Sequence, residues 1–254
     1  MQHRFPQKRQ QQMIDVIVER KRVSNADLSE ILGISLPTVR RDLVVLEQAG
    51  VVTRTHGGVV ARGVGEDGTE PLFLEKLRQN QSLKQRIGQA AASKVLDGQV
   101  VLLDSGTTAL ATAHALAGRR VTVVAIDLKV AEAASIGATE VHIVGGRVRN
   151  GYFSLVGNWS KDALSSIKAD ICFLAADAVD HEGVTTATFE EAETKRIAME
   201  RSKRVVVITD HSKFGKRAFA QVCGLEAVDE LITDRGGTDV VASYRALIPA
   251  ITLV

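Results

Sequence analysis

Beyond residue 98, short runs of Val, Ile and Leu recur between stretches with helical spacing. No other feature constrains the fold of this chain as strongly. Six such runs, at 100–103, 121–125, 141–144, 171–175, 205–209 and 231–233, alternate with helical patterns at 109–116, 128–135, 159–166 and 190–202. A strand that is apolar on both faces must be covered on both faces, and helices between successive parallel strands do this. The pattern predicts an α/β domain built on a parallel sheet. Sheets of this kind bind ligands beyond the carboxyl ends of their strands, so the residues just past each run carry the functional information.

The first sixty residues read differently. Met13, Ile14, Ile17 and Val18 recur at helical spacing and are followed by the basic stop Arg20-Lys21-Arg22. Ser24 opens a second helix as its cap, with Asp27 at the third helical position; Leu28, Ile31 and Leu32 line one face, and Gly33 ends it. Ser35 caps a third helix with Pro37 in its first turn, Val39, Leu43 and Leu46 on its buried row, and Gly50 at its close. Two β-branched runs, 51–53 and 59–60, flank Arg54-Thr55-His56-Gly57-Gly58 and predict a hairpin. A glycine-rich connector follows at 63–68. The expected organisation is a first domain at 1–60, a linker at 61–80 and an α/β domain at 81–254.

Two short helices joined by a tight turn and followed by a hairpin describe a winged helix-turn-helix, whose second helix enters the major groove. With Val39, Leu43 and Leu46 inward, Arg41 points away from the core, flanked by Thr38 and Arg40. Candidate DNA contacts are Ser24, Ser35, Thr38, Arg40, Arg41, Arg54, His56 and Gly57. Arg41 is the expected reader of base edges, and Arg40, Arg54 and the Lys8-Arg9 pair are expected on phosphates. Charge agrees: residues 1–62 hold ten Lys/Arg against six Asp/Glu, leaving twenty-two against twenty-four in the rest. Hydrophobic spacing alone fits equally a three-helix packing or dimerisation module with a solvated arginine pair.

In the α/β part, the run at 100–103 leads into Asp104-Ser105-Gly106-Thr107-Thr108 and then a helix. A small-residue loop at a helix N-terminus offers N–H groups and hydroxyls to an anion, typically phosphate; a tight turn with a helix cap is the alternative. Gly145-Gly146 with Arg147, Asp177 and Lys213 follow three other runs at the same edge. An enzyme is the second reading, an isomerase of sugar phosphates with Asp177 as base and Lys213 as electrophile. Cys172 and Cys223 lack CxxC spacing and the six histidines lack HxH or HExxH spacing, so neither metal nor cofactor is expected. With 45% hydrophobic residues but no long apolar run, and no apolar signal core at the start, a cytoplasmic protein without a membrane partner is expected.

Several stretches carry a resemblance to a known family. Val23-Ser24, Leu32-Gly33-Ile34-Ser35, Thr38-Val39-Arg40-Arg41-Asp42-Leu43, Leu46-Glu47 and Thr55-His56-Gly57-Gly58 resemble the DNA-binding head of DeoR-type bacterial regulators. Leu103 through Thr108, Val144-Gly145-Gly146, Gly183-Val184-Thr185-Thr186, Glu191 through Arg196 and Ser212-Lys213-Phe214-Gly215 resemble the sensor domain of the same family. The resemblance implies a ribose-5-phosphate-isomerase-like sensor fold and no catalytic residue. It also implies a repressor of a carbohydrate-metabolism operon, acting on double-stranded operator DNA as a homodimer or homotetramer. A small phosphorylated sugar is the implied effector, with phosphate on the loop 104–108 (Asp104, Ser105, Gly106, Thr107 and Thr108) and Asp127, Gly145, Gly146, Lys195 and Lys213 near the sugar. The chain departs from the family pattern at Ala125-Ile126, where Thr-Asn is frequent, and at Ala178, where Gly is frequent. Ile126 offers no amide to a sugar hydroxyl, so the sugar preferred elsewhere in the family does not transfer to this chain.

Overall fold

The computed structural model describes residues 6–20, 22–48, 52–55, 57–61 and 71–254. The chain divides into two compact units, Met1–Lys76 and Leu77–Val254. The first contains helices α1 (Pro6–Arg20), α2 (Asn25–Leu32) and α3 (Leu36–Gln48), with strands β1 (Arg22–Ser24), β2 (Val52–Thr55) and β3 (Gly58–Ala61). Ser24 Oγ accepts the Asp27 N–H at 3.0 Å and starts α2, and Gly33 closes that helix with φ 62°. Met13, Ile14 and Ile17 of α1 pack with Leu28 of α2 and with Val39, Leu43 and Leu46 of α3. The expected hairpin is present, but β1 joins it as a third strand, antiparallel to β3 with Val23 opposite Val59. A lone two-stranded ribbon is marginal in water. Here Val23, Val52 and Val59 anchor the three strands in the helical core.

The stretch expected as a linker carries helix α4 (Phe73–Arg78). Helix α5 (Gln81–Ser93) leads into β4 (Val100–Leu103), α6 (Thr107–Leu116), β5 (Thr122–Ala125), α7 (Leu128–Ala134) and β6 (Glu140–Ile143). Next come the small pair β7 (Arg147–Val148) and β8 (Leu155–Val156), α8 (Asn158–Ser165) and β9 (Ile171–Ala175). Strands β10 (Ala178–Asp180) and β11 (Gly183–Thr186) precede α9 (Phe189–Glu200) and β12 (Val205–Ile208). The chain ends in β13 (Ala220–Cys223), β14 (Glu230–Thr233), α10 (Thr238–Ala242) and β15 (Ala250–Leu253). Among these helices none is long and apolar enough to cross a membrane.

Seven strands form one sheet in the order β15-β14-β12-β9-β4-β5-β6, and every neighbouring pair is parallel. Six were expected; β15 is the addition. Side chains alternate between two cores, as the strand period requires. Val101, Leu103, Ile171 and Phe173 meet residues of α5, α6 and α7, whereas Leu102, Cys172 and Leu174 meet Leu164 of α8 and Ala192 and Ala198 of α9. The chain enters the sheet at β4, moves out through β5 and β6, and returns on the other flank at β9. The connections leaving β4 and β9 therefore diverge, which creates a switch point between Leu103 and Ala175. A separate antiparallel sheet, β10-β11-β13, adds Val179, Val184 and Val222 to the second core.

Helix α5 is absent from the sequence reading because its inward face is small: Gly88, Ala91 and Ala92 beside a single bulky Ile87. Such a face has little hydrophobic contrast but lets helices approach closely. A Cβ on Gly88 would lie 2.6 Å from the carbonyl carbon of Ala111 on α6, inside any tolerable contact. Exposed helical glycines gain about 1 kcal/mol on change to alanine. Gly88→Ala is instead expected to destabilise by about 1–3 kcal/mol through overpacking; urea unfolding supplies the sign.

Candidate functional site

In the first unit, α3 presents Arg40 and Arg41 to solvent, with Thr38 half-buried. At its start the Ser35 and Thr38 hydroxyls hydrogen-bond at 2.9 Å. Asp42, next to Arg41, faces the opposite way and is 3% exposed. Arg9 of α1 forks onto it, Nε donating to Oδ2 at 2.6 Å and Nη2 to Oδ1 at 3.0 Å, and Gln10 Nε2 adds a contact at 3.4 Å. Arg9, expected on phosphate, is thus corrected to a clamp between α1 and α3. Bidentate arginine–carboxylate pairs fix orientation as well as distance, so the helix that carries Arg40 and Arg41 is held against rotation.

The wing is tied in too. The Arg54 N–H donates to Glu47 Oε1 at 3.0 Å, and its guanidinium lies 3.5 Å from Oε2. The Gly57 carbonyl accepts the Asn25 N–H at 3.1 Å. Ser24 is occupied as the cap of α2. His56 and the side chain of Lys8 lie outside the described residues. Arg41→Ala, on the outward face, is expected to weaken operator binding by about 1–3 kcal/mol, read by titration of operator DNA at fixed salt.

At the switch point, Asp104 follows β4 directly and is 1% exposed. Its Oδ2 accepts the Ala175 N–H from the end of β9 at 2.9 Å and the Lys195 ammonium from α9. Lys195, also buried, donates to the Ala175 carbonyl at 3.1 Å. One lysine therefore joins the two diverging strand ends. Glu191, one turn earlier on α9, accepts from Ser154 Oγ at 2.8 Å and Thr186 Oγ1 at 3.2 Å, and lies 2.5 Å from the Arg149 guanidinium. Asp177 takes the Thr186 hydroxyl at 2.8 Å and the Ala187 N–H at 3.2 Å. Burial works against the Lys195 charge, but Asp104 and Glu191 outweigh it and hold the ammonium above its ordinary pKa.

Beyond Asp104 the backbone turns at Gly106 (φ 109°), and α6 begins at Thr107, with Thr107 and Thr108 both buried. Asp127 caps α7, its Oδ1 accepting the Lys129 and Val130 N–H groups at 2.7 and 3.1 Å. Its Oδ2 is buried without a hydrogen bond of good geometry. Burial pushes this carboxyl up to about 6, against the pull of the Val130, Lys129 and Gly106 N–H groups.

The remaining expected residues are spread along the edge. Gly145 and Gly146 face α8: Ser160 Oγ donates to the Gly145 carbonyl at 2.7 Å, and a Cβ on Gly146 would lie 2.1 Å from that hydroxyl. Close packing accounts for this glycine. Lys213 sits in a short 3-10 turn, His211–Lys213, after β12. Asp104, Gly106, Asp127, Asp177 and Lys195 form the compact group. Arg149 and Glu191 were missed, although the four-residue spacing of Glu191 and Lys195 on one helix face was available as a signal.

The folded protein holds the Asp127 proton up to about pH 6, whereas an ordinary aspartate releases it near 3.8. Stability therefore falls as pH rises between these values, and the deficit is complete above them. Asp127→Asn keeps a capping oxygen and removes the charge. It is expected to stabilise the protein at pH 8 by up to about 3 kcal/mol, with the gain vanishing toward pH 4 in urea titrations.

Comparison with known proteins identifies the family. The DeoR-like helix-turn-helix domain matches residues 9–62, and the DeoR C terminal sensor domain matches residues 79–235. The HTH-type transcriptional regulator GolR of Listeria innocua is 34% identical over 233 residues, covering 91% of each chain. The HTH-type transcriptional repressor GlcR of Bacillus subtilis is 31% identical, covering 88% of this chain and 86% of its own. The glycerol-3-phosphate regulon repressor of Escherichia coli is 29% identical, with 87% and 88% covered. Among solved structures, ribose 5-phosphate isomerase A of Methanocaldococcus jannaschii is similar at 20% identity and TM-score 0.39, over 54% of this chain and 55% of that one. With head and sensor matched in order and relatives aligned along nearly the whole length, the chain belongs to the DeoR family of helix-turn-helix transcriptional regulators, and the isomerase reading falls away.

Proposed function

We propose that this regulator represses a carbohydrate-metabolism operon from operator DNA read by α3, and that a small phosphorylated sugar at the strand-end edge relieves repression. The observation that carries this reading is the switch point itself, where the loop 104–108 opens α6 beside a buried, charged Lys195. In the proposed site, the Thr107 and Thr108 donors, beyond the turn at Gly106, hold the phosphate at the helix N-terminus, where N–H groups and the helix dipole favour an anion. Lys195 and Lys213 supply positive charge, and Asp104, Ser105, Asp127, Asp177, Gly145 and Gly146 border the sugar. The likeness to the glycerol-3-phosphate regulon repressor and to a putative aga operon transcriptional repressor, both of Escherichia coli, supports the class of target and effector. Ser35, Thr38, Arg40, Arg41, Arg54 and Gly57 form the proposed DNA face.

A helix-turn-helix gains operator specificity by presenting two heads to two half-sites, so the proposed working form is a homodimer or homotetramer in the cytoplasm. Ligand then acts by linkage, favouring an arrangement with lower affinity for DNA. Thr107→Ala separates sensing from DNA binding. Operator affinity is expected to stay near wild type, while the sugar phosphate found by thermal-shift screening binds more weakly by about 1.5–3 kcal/mol, as for loss of a hydrogen bond to a charged group. Intact sugar-phosphate binding in a Thr107→Ala protein with a lowered melting temperature would reduce Thr107 to a helix-start residue.

A further inference from the structure

Asn80 has a left-handed backbone, φ 54° and ψ 33°, although it is not glycine. It immediately precedes α5 without capping it, because its side chain is engaged elsewhere. The Asn80 Nδ2 donates to Asp210 Oδ1 at 2.9 Å, across 130 residues of sequence. Asp210 follows β12, is 1% exposed, and on the same oxygen accepts the Ser212 hydroxyl at 2.5 Å and the Ser212 N–H at 3.1 Å. Lys213 is the next residue. Burial alone would raise the Asp210 carboxyl, but the Ser212 donors, with Lys213 and Lys84, hold it below the usual aspartate range. Lys84, on the first turn of α5, is buried and donates to the Gln79 carbonyl at 2.7 Å. A cleft of about 510 Å³ lies between this turn, with Gln81, Lys84 and Gln85, and the start of α6 at Thr107.

Residue 80 stands four positions beyond Lys76, the last residue of the first unit. The chain that leads to the DNA-binding head is therefore fastened, at its entry into the sensor, to the turn that bears Lys213. An αL asparagine is tolerated rather than favoured, and the hydrogen bond to Asp210 holds it there. We propose that Asn80 is a positioning residue that transmits occupancy of the anion site to the head, through the Asn80–Asp210 hydrogen bond and the Lys213 turn. An anion drawing Lys213 away from Asp210 loosens this turn, and the segment before α5 is released with it. The proposal rests on the reading of the strand-end edge as an anion site.

The test uses the full chain, inorganic phosphate as the anion, and DNA from upstream of the protein's own gene. Asn80→Gly keeps the left-handed backbone available and removes only the amide. In the wild type, phosphate is expected to raise the melting temperature and to weaken DNA binding. In Asn80→Gly, DNA affinity without phosphate is expected to fall to near that of phosphate-saturated wild type, and the phosphate-induced rise in melting temperature persists. The phosphate effect on DNA affinity is expected to fall at least fivefold. Asn80→Asp, which sets two carboxylates together, is expected to lose the coupling likewise. A full wild-type response of DNA affinity to phosphate in Asn80→Gly overturns the proposal while leaving the anion site standing. No effect of phosphate on the wild type in either readout overturns both. Hydrogen exchange of residues 71–80 supplies a check independent of DNA: phosphate should accelerate exchange there in the wild type, and exchange in Asn80→Gly should be fast with or without it. Exchange unaffected by phosphate in the wild type also overturns the proposal.

Discussion

Lys195 is enclosed by carboxylates and closed off from water, and the two halves of the parallel sheet meet on it. Its ammonium reaches Asp104 after β4 and the Ala175 carbonyl at the end of β9, while Asp104 takes the Ala175 N–H in return. Desolvating two charges is expensive, and a buried pair is seldom more stable than apolar side chains of equal volume. Removing one member is another matter, costing about 3–5 kcal/mol, because the other is left charged and unpaired. The pair is therefore poorly explained as a source of stability and well explained as a way to fix geometry at the switch point. It sets the distance between two strands whose following segments diverge, and it places a charged lysine where the loop 104–108 turns into α6.

The strands at 100–103 and 171–175 were legible to the residue, because a fully covered parallel strand leaves a continuous Val/Ile/Leu run between polar segments. Helix α5 was not, since Gly88, Ala91 and Ala92 pack tightly without looking hydrophobic. Strand β15 has its residues half-buried or exposed and lies at the sheet's margin, so no apolar run announces it. Strand β1 was hidden by the basic run that leads into it; its buried Val23 acquires a partner only when β3 arrives. In the candidate site, Asp104 and Asp177 were picked out by their places after strands, and Asp127 and Lys195 by the family resemblance alone. Their partners were not: Arg9 finds Asp42 across 33 residues, Lys195 finds Asp104 across 91, and Asn80 finds Asp210 across 130. Periodicity reports on local faces, and nothing local encodes these pairings.

The same kind of pairing governs the head. Arg41 and Asp42 are adjacent on α3, yet one faces solvent and the other is 3% exposed, because successive helical residues differ by about 100°. The outward arginine has a defined direction only if the helix cannot roll. The fork of Arg9 on Asp42 supplies that restraint from α1, and the pairing of Arg54 with Glu47 ties the wing to the end of the same helix. An arginine that appears from sequence to be one more cation for DNA is thereby withdrawn from the basic surface and used to aim its neighbours.

The strand-end edge is, at first sight, a poor place for an anion. An aspartate follows five of the seven strands, Asp104, Asp127, Asp177, Asp210 and Asp234, and four of the five are 1% exposed or less. Each is occupied by N–H groups of the turn it precedes or faces: Ala175 for Asp104, Lys129 and Val130 for Asp127, Ala187 for Asp177, Ser212 for Asp210, and His211 and Gly236 for Asp234. Carboxylates that accept two or more donors hold turns open and rigid, but their charge remains, and at 4 Å a like charge in a medium of dielectric about 20 repels by about 4 kcal/mol. An anion can enter only where N–H donors are not already taken and where cations stand nearby. The start of α6, the proposed phosphate site, offers both, with the first-turn N–H groups that every helix leaves unbonded within itself and Lys195 behind Asp104. Asp127, whose buried Oδ2 lacks a hydrogen bond of good geometry, is pushed by burial up to about 6, so it keeps its proton and adds no charge to the edge only below that pH. On the proposed reading, the edge suits a ligand that brings hydroxyls to the aspartates and its charge to a single point, which is the chemistry of a monophosphorylated polyol or sugar.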